Sequence, residues 1–131
     1  MTTRRFDHID LRVKDMAVAQ EFYGQLLPAL GFSVASGDDE WRTYQCPGDG
    51  PEAFFGFTAG TDHRPNENRI AFWAESRAEV DRLTEIVRQA GGLNLEGPEV
   101  WRDYSPGYYA VFFEDPSGNK LEICCRESRP S

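Results

Sequence analysis

Cysteine is scarce in this 131-residue chain, and the three present, Cys46, Cys124 and Cys125, include no C-x-x-C pair. That spacing gives no sign of a disulfide framework or a zinc knuckle. Cys124 and Cys125 are neighbours, so on a strand they point to opposite faces and read as packing residues. Basic residues are also few: 14 Lys and Arg stand against 22 Asp and Glu, for a formal net charge of −8. Phosphate backbones and anionic lipid surfaces are bound through Lys and Arg, so nucleic acid and membrane are not expected partners and a small molecule is. No apolar run approaches the roughly 20 residues of a membrane span. The opening MTTRRFDHID carries two arginines without a following apolar stretch, so the expected location is cytoplasmic. There are only two histidines, His8 and His63, which narrows any imidazole chemistry to those positions.

What is present is a repeat. HIDLRVKDMAVAQEFYGQLLPALGF (8 to 32) aligns without gaps on RIAFWAESRAEVDRLTEIVRQAGGL (69 to 93) at an offset of 61. Apolar positions coincide: Ile9 on Ile70, Leu11 on Phe72, Phe22 on Leu83, Leu26 on Val87, Gly31 on Gly92. Each copy opens with period-2 alternation and then changes to helical spacing, through Ala19, Phe22, Tyr23, Leu26, Leu27 and Leu30 in the first and Val80, Leu83, Ile86, Val87 and Ala90 in the second. Asp15, a Ser76-x-x-Glu79 capping box, Gly31 and Gly91-Gly92 supply the ends, predicting helices at about 15 to 30 and 76 to 90. Three short strands follow each helix, predicted near 32 to 36, 40 to 46 and 53 to 58, then near 94 to 101, 108 to 114 and 119 to 125. Asp115-Pro116-Ser117-Gly118 has a type I turn signature and joins the last two. The unit is therefore βαβββ, twice, with the polar stretch 59 to 68 as the connection.

The segments HIDLRVKDMAVAQEFYGQLLPALGF, RIAFWAESRAEVDRL and YYAVFFEDPSGNKLEIC together resemble the vicinal oxygen chelate superfamily, which groups glyoxalase, bleomycin-resistance proteins and extradiol dioxygenases. The resemblance implies an α+β fold: two βαβββ modules forming a curled mixed sheet with a central cleft, helices outside. Residues 1–131 are then one glyoxalase-like domain, with modules 5–58 and 67–126 and hinge 59–66. It further implies a homodimer.

Alternation predicts which side chains face away from the helices. On the first strand these are His8, Asp10 and Arg12; on its counterpart Arg69, Ala71 and Trp73; on the last strand Lys120, Glu122 and Cys124. A symmetric turn at 115 to 118 would set Val111 opposite Glu122 and bring Tyr109 and Phe113 to the same face, so that His8, Arg69 and Glu122 converge. In the resembled family those three places hold His, His and Glu around a divalent metal (Zn, Ni, Fe or Mn). His8 and Glu122 match that pattern and would be the metal ligands if one is bound. Arg69 does not match, because a guanidinium has no lone pair to donate, so a metal cofactor is not favoured.

Two functions follow. One is a small-molecule-binding protein with a degenerate metal site, in which Arg69, Trp73, Tyr109 and Phe113 hold an anionic or aromatic ligand. The other is a divalent-metal-dependent glyoxalase-like lyase, isomerase or dioxygenase acting on vicinal oxygens. If the protein is an enzyme, His8 and Glu122 are the candidate catalytic residues, and a third possibility is metal-free acid/base catalysis by that pair. A plainer reading makes Arg69 and Glu122 a structural ion pair, and His63 a solvated loop histidine. Trp41, Tyr44, Phe54, Phe55, Phe57, Trp101, Tyr104 and Tyr108 belong to strands or loops whose faces the pattern does not assign.

Overall fold

The structure is a computed structural model and describes residues 3–60 and 62–126. The chain divides into two compact units, Met1–His63 and Arg64–Ser131. The first contains β1 (His8–Val13), α1 (Met16–Ala29), β2 (Val34–Gly37), β3 (Trp41–Gln45) and β4 (Phe54–Ala59). The second contains β5 (Arg69–Trp73), α2 (Arg77–Ala90), β6 (Leu93–Val100), β7 (Tyr108–Glu114) and β8 (Lys120–Arg126). Each unit holds one four-stranded mixed sheet, ordered β1-β4-β3-β2 and β5-β8-β7-β6. In both, the first and last strands of the unit pair in parallel and the other neighbours are antiparallel. The two helices have 14 residues each and are displaced by the 61 residues of the repeat. No helix among the described residues is long and apolar enough to cross a membrane.

The helix ends form as their residues dictate. Asp15 accepts from the Val18 N–H and Ser76 from the Glu79 N–H, while Glu79 Oε1 accepts from the Glu75 N–H. The first two contacts satisfy donors that the first turn leaves without intrahelical partners, and the third ties down the residue before the cap. Gly91 closes α2 at φ 104°, and Gly31 follows α1 at φ 99°, both in the left-handed region that glycine enters without a Cβ penalty. The turn at Gly31 carries the chain past the predicted start of β2, since the Phe32 N–H still bonds the Leu27 carbonyl.

Each sheet buries one face under its own helix. In the first unit Phe22, Tyr23, Leu26 and Leu27 are fully buried with Phe55, Phe57 and Val13, and the Tyr23 ring lies 5.3 Å from Phe55 and 5.0 Å from Phe57. In the second, Val80, Leu83 and Val87 pack with Val111, Phe113, Leu121 and Ile123. Burying one such side chain is worth about 1.5–3 kcal/mol, so these faces fix the orientation of the strands that carry them, β1, β4, β7 and β8. The opposite, helix-distal face of each sheet is left for other work.

The β7–β8 hairpin departs from the symmetric turn. Gly118 donates to the Asp115 carbonyl, but Asp115 N–H also bonds the Asn119 carbonyl, leaving a loop of three residues. Gly118 sits at φ 90°, the extra left-handed residue of a bulged hairpin. Phe112 therefore lies opposite Glu122, Ala110 opposite Cys124 and Val111 opposite Ile123. One residue of register moves every side chain of β7 to the other face. Tyr109 and Phe113, expected beside Glu122, face the helix instead: Phe113 is 2% exposed in the core, and Tyr109 donates to Asp81 of α2.

Gly118→Ala is expected to lose about 1–2 kcal/mol, the cost of a Cβ in the left-handed region. The new Cβ would also stand 3.0 Å from Pro65 Cγ. Urea unfolding measures it, with Gly50→Ala as the control, since nothing lies within 4 Å of its Cβ position.

Candidate functional site

On the helix-distal face of the second sheet the register aligns Arg69 with Lys120 and Glu114, Ala71 with Glu122 and Phe112, and Trp73 with Cys124 and Ala110. Tyr108 and Arg126 complete the row beyond. Arg69, Trp73 and Glu122 thus share a face, as alternation predicts.

Glu122 is 5% exposed, and its Oε2 accepts the Tyr108 hydroxyl. Cys124 lies against both groups. Burial, then the hydrogen bond to Glu122, push the Tyr108 phenol well above its ordinary range. Burial pushes the Cys124 thiol up as well. The Glu122 carboxylate is therefore held by neutral donors rather than by a cation.

The Arg69–Glu122 ion pair of the plainer reading does not form. Parallel pairing sets Arg69 beside Lys120, two residues along the strand from the position opposite Glu122. Its guanidinium lies over the Phe112 ring, 4.6 Å from the centroid. Among the described residues no carboxylate is within ion-pair distance of Arg69, while Lys120 is 3.8 Å from Glu114. Arg69, Phe112, Trp101 and Tyr104 line a pocket of about 140 Å³, with the carboxylates of Glu96 and Glu114 also on its wall. Trp101 and Tyr104 arrive through the tight loop after β6, in which Tyr104 N–H bonds the Trp101 carbonyl and Tyr108 N–H bonds the Ser105 carbonyl. Trp101 Nε1 donates to the Ala110 carbonyl, setting its ring 5.0 Å from Phe112. These residues escaped the sequence reading because they follow no strand period; the signal available was three aromatics, 101, 104 and 108, flanking Pro106-Gly107.

Trp73 is 68% exposed with the Arg126 guanidinium 4.5 Å from its ring centroid. Tyr109, on the opposite face, carries Arg77 over its ring at 5.3 Å. Its hydroxyl donates to Asp81 Oδ1 at 2.6 Å, and this bond, with burial and the Asp81 charge, pushes the phenol up to about 12.

In the first unit His8 is on the helix-distal face of β1, stacked 4.5 Å from Phe54 with the rings 2° from parallel. Its Nδ1 is 2.7 Å from Asp7 Oδ1, which orients the imidazole. Asp10 and Arg12 share this face and pair at 3.2 Å. The Trp41 indole lies across Gly56, where a Cβ would come within 3.2 Å of Trp41 Nε1. His63 is half-buried rather than solvated, its Nε2 shielded and without a partner. Among the described residues no group of three or more His, Cys, Asp or Glu side chains is placed to hold a metal ion.

A duplicated βαβββ unit with these caps and this hairpin defines a class of protein, and comparison with known families agrees: the chain belongs to the Glyoxalase/Bleomycin resistance protein/Dioxygenase superfamily, whose sequence profile matches residues 5–123. The Bacillus subtilis (strain 168) protein YqjT is 32% identical over 126 residues, covering 88% of this chain and 94% of its own. A glyoxalase/bleomycin resistance protein of Albidiferax ferrireducens T118 superposes with a TM-score of 0.73 at 28% identity, over 93% of this chain and 98% of the other. The fosfomycin resistance protein FosX of Mesorhizobium loti shares the fold, with a TM-score of 0.67 at 16% identity over 97% of this chain and 96% of its own.

The tyrosines give a direct check on the faces. The folded state holds the Tyr109 proton more tightly than an unfolded chain, where tyrosine titrates near 10. That contribution to stability is complete below about pH 10 and is lost as pH rises through about 12. Absorbance titration at 295 nm should show a late-ionising tyrosine that returns toward the ordinary range in Asp81→Asn.

Proposed function

We propose that this chain is a small-molecule-binding member of its superfamily, whose second unit grips an anionic group of the ligand with Arg69, the inherited metal positions being degenerate. The observation that carries this reading is the Arg69 guanidinium, stacked on Phe112 with no carboxylate within ion-pair distance among the described residues and opening on a pocket of about 140 Å³. Stacking covers one face of the guanidinium and leaves its fork of N–H donors free. That fork matches a carboxylate or phosphonate with two parallel hydrogen bonds. The flanking Trp101 and Tyr104 suit a ligand whose anionic group is attached to a flat or apolar body.

The donor set does not fit a divalent metal. A guanidinium stands at the position where the resemblance implies the second imidazole. Glu122 already accepts the Tyr108 hydroxyl, and the neighbouring thiol is held protonated by burial. No reaction step is therefore routed through a metal.

Titration calorimetry with benzoate and phenylphosphonate tests the reading, with benzyl alcohol as the neutral comparison. Arg69→Gln should weaken binding of both anions about tenfold, the weight of a charge-assisted hydrogen-bond pair. Equal binding of benzyl alcohol, or unchanged binding in Arg69→Gln, would overturn it. Protein purified without chelator that carries one equivalent of divalent metal, lost in Glu122→Gln, would replace it with the metal-dependent lyase, isomerase or dioxygenase.

A further inference from the structure

We infer that Arg126 and Trp73 form a second oxyanion subsite on the same sheet face, so that the ligand carries two anionic groups held at separate points; this rests on the reading of Arg69 above. Arg126 pairs in register with Tyr108 but leans back along its own strand, so that its guanidinium covers Trp73, the residue opposite Cys124. It lies close enough to Cys124 to act on the thiol's ionisation. Ala71, Trp73, Tyr108, Cys124 and Arg126 line an open pocket of about 240 Å³. Like Arg69, Arg126 has no carboxylate within ion-pair distance among the described residues.

The two guanidinium-on-ring pairs stand at diagonal corners around Glu122. Phe112 is beside Glu122 on β7, and Trp73 is beside Cys124 on β5. That offset is two residues along the strands and two strands across, which sheet spacings turn into roughly 12 Å. The floor between the corners is low where Ala71 and Ala110 present single methyl groups. Glu96 and Glu114 line the pocket at the Arg69 corner, and the acid between the corners is Glu122, whose bonds to Tyr108 and Cys124 turn it inward. Its negative charge disfavours an anionic group midway and admits an alkyl or hydroxyl linker. An anion at each corner with an uncharged link between them answers all of these features. In a chain of net charge −8, these are two guanidinium groups on one face that form no ion pair among the described residues.

The probes are the linear dicarboxylates succinate, adipate, suberate and sebacate, each compared with the monocarboxylate of equal length by titration calorimetry. The wild type should bind at least one dicarboxylate about tenfold tighter than its monocarboxylate, and Arg126→Gln should bring that ratio close to one. Arg126 is exposed, so circular dichroism should show the variant folded. Quenching of indole fluorescence by the preferred dicarboxylate should also shrink in Trp73→Phe. A dicarboxylate preference that survives Arg126→Gln, or none in the wild type, overturns the second subsite. If monocarboxylates still bind and Arg69→Gln still weakens them, the Arg69 reading stands alone. If no carboxylate binds the wild type, both readings fall.

Discussion

The buried carboxylate of Asp115 governs the face on which any chemistry of the second unit takes place. It is inaccessible to solvent and accepts from the Ser117 N–H, the Asn119 N–H and the Asn119 side-chain amide. With Gly118 in the left-handed region it holds the hairpin to a three-residue loop. That one residue decides that Phe112 and not Val111 stands beside Glu122. The aromatic seat of Arg69, the phenol over Glu122 and the withdrawal of Tyr109 and Phe113 to the helix side all follow from it.

The duplicated unit divides labour between two faces of a sheet. On one face each helix supplies aliphatic side chains, and α1 also Phe22 and Tyr23, whose burial accounts for most of the driving force for folding. The other face is free to carry groups that a core would reject: a carboxylate held by neutral donors, guanidinium groups on aromatic rings, an imidazole on a phenyl ring. Stacking an arginine on a ring is worth about 0.5–1 kcal/mol at an exposed site. It also restricts a long side chain that would otherwise lose rotamer freedom on gripping a ligand. The two copies use this freedom differently. The position of His8 in the first copy becomes Arg69 in the second, an exchange of a potential electron-pair donor for a permanent cation.

Much of this architecture was legible because it is written in local patterns. Helix starts at Asp15 and Ser76, the glycine stops and the period-2 openings each depend on residues a few positions apart, and the 61-residue offset repeats those same local patterns. The placement of Arg69, Trp73 and Glu122 on one face also needed only the side-chain period of a strand. What the pattern misjudged was pairing. The symmetric turn would have put Tyr109 and Phe113 beside Glu122, and a carboxylate facing the same way as an arginine invited an ion pair that the parallel register does not bring together.

By itself the sequence determined the two βαβββ units, their helices and strands, the exclusion of a second imidazole at position 69 and the sharing of a face by Arg69 and Glu122. These rest on side-chain size, capping chemistry and alternation, which act over single turns and short strands. Only the tertiary structure decided the register of β7 on β8, the choice of Phe112 and Trp73 as seats for Arg69 and Arg126, and the folding of Trp101 and Tyr104 over the face. The physical reason is reach. A guanidinium at the end of a long flexible stem finds its neighbour across strands more than forty residues away in sequence, and the conformation of one loop residue sets which neighbour is there.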